Sequence, residues 1–269
     1  MGKSVALLLV LIFVVASSIT FAKPALSSID AKAENSWVSK ASMHEARAYL
    51  GVAVVNGKIY AIGGDKGVMV ELLPATDLSF GFVSTTEEYD PEADNWTVKA
   101  PMPTARALFG TAVYHDKIYC IGGYVSGEIT GMNEVYNPST NSWETKTSMP
   151  TPLYGVQANT VNSIIYVMGI NSNVIYAYDP QTDSWASKIP APYVITSRVS
   201  AVFDNKIYFI GALTNPSGVR IGTCIQAYDT ITDNWNTITT TSLTASLGTS
   251  AGATSGVNTP AQIYFFDGK

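Results

Sequence analysis

Short apolar segments recur along the chain and predict β-strands, because Ile, Val, Tyr and Phe favour the extended backbone. Each contains an Ile-Tyr pair, and glycine follows it. The segments are KIYAIGG at 58–64, KIYCIGG at 117–123, IIYVMGI at 164–170, KIYFIGA at 206–212 and QIYFFDG at 262–268. Polar pairs such as Asn56-Gly57 and His115-Asp116 stand immediately before them and are typical of tight turns between antiparallel strands. The pattern predicts an all-β fold built from hairpins.

A second pattern follows each Ile-Tyr segment, a tyrosine and a tryptophan seven residues apart. The pairs are Tyr89 and Trp96, Tyr136 and Trp143, Tyr178 and Trp185, and Tyr228 and Trp235. A fifth tryptophan, Trp37, ends an Asn-Ser-Trp segment, and neighbouring tryptophans lie 42–59 residues apart. A period of roughly 50 residues in a strand-rich chain is typical of propeller blades. Because these aromatic residues recur at one repeat position, we interpret them as packing anchors between blades.

These repeats resemble the Kelch family over about residues 34–269. The resemblance rests on the doublets Gly63-Gly64 and Gly122-Gly123, the spaced Tyr and Trp, and the Met-Pro-Thr-x-Arg segment at 102–106. It implies a kelch-type β-propeller with four complete four-stranded blades and a partial terminal blade. We place the repeats at about residues 43–96, 102–143, 149–185 and 189–235, with a partial repeat at 243–269.

Repeats 3 and 4 depart from this pattern. Gly169-Ile170 and Gly211-Ala212 replace the double glycine, and Thr230 replaces a proline. We therefore expect a different turn geometry there. Residues 34–39 could complete the last blade of a five-bladed ring; the alternative, which we favour, is that the chain is a fragment of a longer propeller.

The N-terminal residues have the pattern of a signal peptide. Lys3 precedes an apolar run of 12 residues from Val5 to Ala16, and small residues occupy Thr20 and Ala22. A bilayer-spanning helix needs about 20 residues. We expect cleavage after Ala22, which would leave a secreted, cell-surface or periplasmic protein with no membrane insertion; a retained anchor is the alternative.

Composition limits the partners. The formal net charge is −5 and no basic cluster is present, which argues against nucleic acid and anionic membranes. Cys120 and Cys224 fall in different, non-adjacent repeats, so we expect two buried free thiols; a disulfide is the alternative.

Few residues suggest metal or catalytic chemistry. The only histidines are His44 and His115, and no zinc, nucleophile-elbow or phosphate-loop motif is present. Galactose oxidase also carries kelch-like blades, but two scattered histidines do not suit its copper site. We expect no cofactor, no metal and no catalytic residue.

Three arginines are candidate binding residues. Arg47 and Arg106 each stand 16 residues before a glycine doublet, and Arg198 is a looser match. The resemblance to kelch-domain ubiquitin-ligase adaptors implies that such arginines line a pocket for acidic peptides. The alternative is that they hold the segment before each first strand, here called the lead-in, through carbonyl or carboxylate contacts.

The long loop from Asp65 to Ser84 in repeat 1 is a second candidate. Its apolar side chains include Met69, Phe80 and Phe82. They could cap the central channel, pack on a neighbouring blade or contact a partner. We include Asp65 and these three in the candidate binding set.

Three functions remain open at this point. The leading hypothesis is an exported binding scaffold for a protein or a glycan, because loop-bearing faces of propellers carry function. The second is an exported sugar-processing enzyme similar to sialic acid mutarotases, with acid–base candidates at Glu45, Glu87, Glu88 and Glu134. The third is a structural module of a larger envelope protein. A raised carboxylate pKa in a closed pocket would favour the enzyme hypothesis. An open face lined with aromatic residues or arginines would favour the binding hypothesis.

Overall fold

The computed structural model describes residues 38–67, 81–214, 220–240, 251–254 and 263–266. By compactness the chain divides into Met1–Lys40 and Ala41–Lys269. Of the first unit, the described residues 38–40 form no regular secondary structure. Within the described part of the second unit all regular structure is β-strand, which confirms the predicted all-β fold.

Four antiparallel sheets of four strands form the blades. Blade 1 contains β1 (Gly51–Val55), β2 (Lys58–Ile62), β3 (Thr86–Asp90) and β4 (Asn95–Lys99). Blade 2 contains β5 (Gly110–Tyr114), β6 (Lys117–Ile121), β9 (Asn133–Asn137) and β10 (Ser142–Lys146), and carries a small hairpin of β7 (Tyr124–Val125) and β8 (Glu128–Ile129). Blade 3 contains β11 (Gln157–Val161), β12 (Ile164–Met168), β13 (Ile175–Asp179) and β14 (Ser184–Ser187). Blade 4 contains β15 (Ile195–Phe203), β16 (Lys206–Thr214), β17 (Arg220–Asp229) and β18 (Asn234–Thr240). A further hairpin pairs β19 (Ala251–Thr254) with β20 (Ile263–Phe266), which contains the fifth Ile-Tyr pair.

The first strands of successive blades lie next to one another. β1 contacts β5, β5 contacts β11, β11 contacts β15, and β15 contacts β19. The first strands are therefore innermost, and the strands that begin at or just before each repeat tryptophan are outermost. Antiparallel pairing brings the lead-ins and the loops between second and third strands to one end of the blades, which we call the loop face. The tight turns lie at the other end.

The first and second strands of each blade are joined by a tight turn, as the polar residue pairs predicted. In each blade two residues join the strands, and both have positive φ. The pairs are Asn56-Gly57, His115-Asp116, Asn162-Ser163 and Asp204-Asn205. Such turns match the right-handed twist of the paired strands, and Asn, Asp and Gly adopt them at least cost.

The glycine doublets end their strands as expected, and blades 3 and 4 differ. Gly63, Gly64, Gly122 and Gly123 all have φ between 58° and 111°. A side chain on Gly122 would approach the Leu153 carbonyl oxygen to 2.6 Å, so only glycine fits there. In blade 4, where alanine replaces the second glycine, β16 continues through Ala212 to Thr214. In blade 3, which also lacks the doublet, β12 still ends at Met168, so the missing second glycine does not by itself lengthen the strand.

The recurring Tyr and Trp join each blade to the lead-in that enters it. In blade 3 the Tyr178 hydroxyl donates to Asp183 Oδ1 (2.6 Å), which also accepts from the Thr147 amide (2.9 Å). Trp185 Nε1 donates to the Thr147 carbonyl (2.8 Å). The same arrangement recurs in the other three blades, around Asp94, Asn141 and Asp233. We call it the Tyr-Asp-Trp clamp.

Tyrosines also pack between neighbouring blades. The Ile-Tyr tyrosine of one blade lies against the repeat tyrosine of the next, with ring centroids 5.7–6.0 Å apart. The pairs are Tyr60 and Tyr136, Tyr119 and Tyr178, and Tyr166 and Tyr228. Three apolar clusters fill the spaces between blades, so the hydrophobic core is divided among the junctions.

Several predictions fall on parts of the chain that the structure does not describe, and they stay predictions. These are the signal peptide at 1–22, the strand at 34–39 up to Trp37, and the loop residues Met69 and Phe80. Cys120 and Cys224 are both buried and free. Among the described residues, no helix has the length and apolarity needed to cross a membrane.

Candidate functional site

Arg106 lies inside blade 2 and holds its lead-in. Its side chain is fully buried and is ion-paired with Glu134. The guanidinium also donates to the carbonyl oxygens of Gly122 (3.0 Å) and Cys120 (2.8 Å), at the end of β6. Thr104 donates to the other oxygen of Glu134 (2.8 Å). Buried charges are stabilised by this combination of a counter-ion and hydrogen bonds.

Arg47 occupies the same place in blade 1. Its side chain is fully buried, Nη2 donates to the Ala61 carbonyl (3.0 Å), and Nη1 lies 3.1 Å from Glu87 Oε1. Glu87 Oε2 accepts from the backbone amide of His44 (2.9 Å) and lies 2.5 Å from His44 Nδ1. Here too the arginine and the glutamate join the lead-in to the second and third strands.

Blades 3 and 4 join the lead-in to the third strand without an arginine. In blade 3 the Tyr176 hydroxyl donates to Thr151 Oγ1 (2.8 Å). In blade 4 the Gln226 side chain exchanges two hydrogen bonds with the backbone of Tyr193. Three kinds of side-chain contact thus hold the four equivalent lead-ins, which favours the structural interpretation of Arg47 and Arg106. Arg198 lies in β15, and its side chain is outside the described part.

The four candidate acid–base glutamates are engaged within blades 1 and 2. Glu87 and Glu134 pair with the arginines. Glu88 accepts from the Tyr60 hydroxyl (2.5 Å) and pairs with Lys99. Glu45 pairs with Lys66 (2.5 Å), and the hydrogen bond from Lys66 lowers the pKa of that carboxyl. Within the described residues, each of these four carboxylates lies in an ion pair with an arginine or a lysine.

Asp65 closes the base of the long repeat-1 loop. Its Oδ1 accepts from the amides of Gly67 (2.7 Å) and Gly81 (2.8 Å), the two described ends of that loop. Its backbone bridges Ala48 on one side and Phe82 on the other. Asp65 therefore holds the backbone at Gly81 and Phe82 in place on the loop face.

Three aromatic side chains meet on the loop face across three blades. The Phe82 ring from blade 1 lies 6.0 Å from the Tyr124 ring of blade 2, and Tyr124 lies 6.2 Å from the Tyr154 ring of blade 3. All three are partly exposed. We call Phe82, Tyr124 and Tyr154 the aromatic row.

Tyr49 lies on the loop face, in the lead-in of blade 1 and two residues before β1. Its side chain is 52% exposed, and its carbonyl accepts from the Leu108 amide (3.1 Å) of the next lead-in. Tyr49 and Leu108 have φ of 54° and 59°. Bulky residues adopt this conformation at a cost of about 1–3 kcal/mol, and such strain concentrates at functional sites. The loop face thus presents ordered, partly exposed aromatic side chains.

Sequence reasoning found only one member of the aromatic row. Phe82 was a candidate because its loop is apolar, but Tyr124 and Tyr154 had no such signal. They do not recur at a repeat position and are brought together by blade packing. A search for aromatic residues outside the repeat positions would have found them.

The comparisons with known proteins agree with this architecture. Residues 46–103 and 105–150 match the family model described as Kelch motif. These two segments carry Kelch motifs. With the antiparallel sheets, these repeats show a kelch-type β-propeller.

Curated relatives match through a limited region of Kelch repeats. Kelch-like protein 15 of Danio rerio is 40% identical over 89 residues, which are 33% of this chain and 14% of that protein. The influenza virus NS1A-binding protein homolog of Xenopus laevis is 44% identical over 81 residues, 30% of this chain and 11% of that protein. The chain therefore spans a small part of these relatives.

A solved structure extends the similarity in fold. The structure of YjhT superposes with a TM-score of 0.60 at 17% identity and covers 76% of this chain and 68% of that one. At this identity the similarity shows the fold alone.

Proposed function

We propose that this protein is an exported, non-enzymatic binding scaffold that recognises its partner through the loop face of blades 1–3. The observation that carries the proposal is the aromatic row, a partly exposed aromatic surface to which three blades contribute. Tyrosines suit such surfaces because a large apolar ring is ordered at little entropic cost and ends in a hydroxyl.

The relatives support a binding role. One of them is named for binding the influenza virus protein NS1A, and the others share Kelch repeats with this chain. The enzymatic alternative has weaker support, because the candidate glutamates form ion pairs with arginine or lysine within the blades. The proposed partner is a protein or a glycan.

The binding proposal is tested on an array that carries both peptides and glycans. We expect at least one class of probe to be retained by the wild type and lost in the double variant Tyr124→Ala, Tyr154→Ala. The control is Ile231→Ala, which removes a 70% exposed apolar side chain from a turn at the opposite end of blade 4. Retention by the double variant, or no bound probe at all, would overturn the proposal.

Export is a separate part of the proposal and rests on the pattern of residues 1–22. N-terminal sequencing of the product released by a secreting host tests it. The expected first residue is Lys23. A product that keeps Met1, or that stays in the cell, would contradict export while leaving the binding proposal standing.

A further inference from the structure

The aromatic row differs from the other aromatic contacts in that its members do not repeat. Tyrosines and tryptophans that join blades recur at one repeat position, as Tyr136 and Trp143 do. Tyr124 follows its glycine doublet at the place that Asp65 holds in blade 1, and Tyr154 stands where the other lead-ins have Ala48 or Ala107. Blade packing therefore does not require aromatic rings at these positions. Their presence on one partly exposed surface calls for another explanation.

Several charged side chains around the described part of the row are compensated within the protein. Glu45 is paired with Lys66 and Arg106 with Glu134. Asp65 accepts hydrogen bonds from two backbone amides. Glu128, exposed in the hairpin of β7 and β8 that contains Tyr124, adds a negative charge. An acidic peptide would gain little from the described part of this surface, since its carboxylates would lose hydration and meet the negative charge of Glu128.

We propose that the aromatic row binds a neutral glycan made of pyranose sugars, a conclusion that rests on the proposed function of the loop face. A pyranose ring presents faces of C–H bonds, which pack against the electron-rich faces of aromatic rings. Its hydroxyls can exchange hydrogen bonds with the tyrosine hydroxyls. The centroid spacings of 6.0 and 6.2 Å place three rings in succession, so a chain of several sugars contacts more of the row than one sugar does.

Affinity electrophoresis of the full chain tests this proposal. The gels contain hydroxyethylcellulose, xylan or galactomannan as neutral probes and polygalacturonate as the charged probe. At least one neutral polysaccharide is expected to retard the wild type. Added sodium chloride should leave that retardation unchanged, because ion pairs contribute nothing to it.

Two substitutions of Tyr124 separate ring stacking from simple apolar contact. Tyr124→Leu keeps an apolar side chain without a ring and should weaken binding about tenfold. Tyr124→Phe keeps the ring and should remain within about threefold of the wild type. Ile231→Ala, at the opposite end of blade 4, should bind as the wild type does. Urea unfolding checks that each variant is folded, and Tyr154→Leu with Tyr154→Phe supplies a second pair.

The outcomes distinguish the neutral-glycan proposal from the binding-scaffold proposal on which it rests. If no neutral polysaccharide retards the protein while array peptides bind through the loop face, the glycan proposal is wrong and the scaffold proposal stands. If Tyr124→Leu and Tyr154→Leu bind as tightly as the wild type, the row is not the site. Binding to polygalacturonate alone, abolished by salt, would also overturn the neutral-glycan proposal.

Discussion

At the scale of single residues, one side-chain oxygen organises each junction between a blade and its lead-in. In blade 3, Asp183 Oδ1 accepts from the buried tyrosine Tyr178 and from the Thr147 amide. In blade 2, Asn141 makes the same two contacts, with Tyr136 (2.7 Å) and Ala100 (2.8 Å). The clamp therefore needs an oxygen acceptor at this place but does not need a charge.

Replacement of Asp183 tests the clamp. Asp183→Ala should lower the free energy of unfolding by about 1–3 kcal/mol, because the Tyr178 hydroxyl loses its acceptor. Asp183→Asn is the matched control and should cost much less, since Asn141 performs this role in blade 2. Urea unfolding measures both. Equal losses in the two variants would show that the charge, not the acceptor, matters.

The stability of the wild type and that of Asp183→Asn should depend differently on pH. Burial raises the pKa of Asp183, but the hydrogen bonds donated by Tyr178 and Thr147 outweigh it, so that pKa lies below its ordinary value. A folded pKa below the unfolded one adds stability that is complete above the unfolded pKa and is lost as the pH falls through the folded pKa. Between about pH 5 and about pH 3 the wild type should lose more stability than Asp183→Asn. Parallel pH profiles would contradict this.

The two thiols provide a further test at this scale. Burial raises the pKa of Cys120 to about 12 and that of Cys224 to about 11. Because the thiolate is the reactive form, a disulfide reagent at about pH 8 should label neither cysteine in the folded protein and both in urea. Rapid labelling of one thiol without denaturant would mean that its junction opens readily.

At the scale of elements, the hairpin turns show how sequence selects backbone conformation. Gly57 has φ of 75°, and a side chain added there would meet no atom within 4 Å. Any cost of substitution at Gly57 therefore comes from the backbone alone.

Substitutions of Gly57 measure that cost. Gly57→Ala should destabilise the protein by about 1 kcal/mol, since an L-residue with a Cβ is strained at positive φ. Gly57→Asn should cost less, because Asn tolerates this region and occupies it at Asn56 and Asn205. Thermal unfolding of the three proteins provides the measurement. An alanine variant as stable as the wild type would rule out backbone strain as the reason for glycine.

Sequence reasoning predicted the elements better than the site. The strands and turns are local, so Ile-Tyr segments and pairs such as Asn56-Gly57 were sufficient to predict them. The sequence did not predict that β16 continues past Gly211 whereas β12, which also lacks the doublet, ends at Met168. The contact between Tyr124 and Tyr154 joins two blades, and no local pattern predicts which loop residues blade packing brings together. For Arg47 and Arg106 the sequence left a binding and a structural role open, and burial favours the structural one.

At the scale of the whole molecule, four blades place their lead-ins on one face and their tight turns on the other. Val52 and Val54 in β1 are 54% and 60% exposed, as an uncovered blade face would be. The five-bladed ring and the longer propeller both remain predictions, because residues 34–37 and 267–269 lie outside the described part. The account of function depends on the loop face of blades 1–3 and not on the number of blades.

Amide hydrogen exchange tests most directly whether this loop face binds a partner. Exchange is measured with and without hydroxyethylcellulose, or the array probe that binds most tightly if that polysaccharide does not bind. The account predicts new protection at residues 48–50, 81–85, 122–132 and 153–156, and none at the opposite-face turns 91–94, 138–141 and 230–233. Protection confined to those turns or to the outermost strands would contradict it.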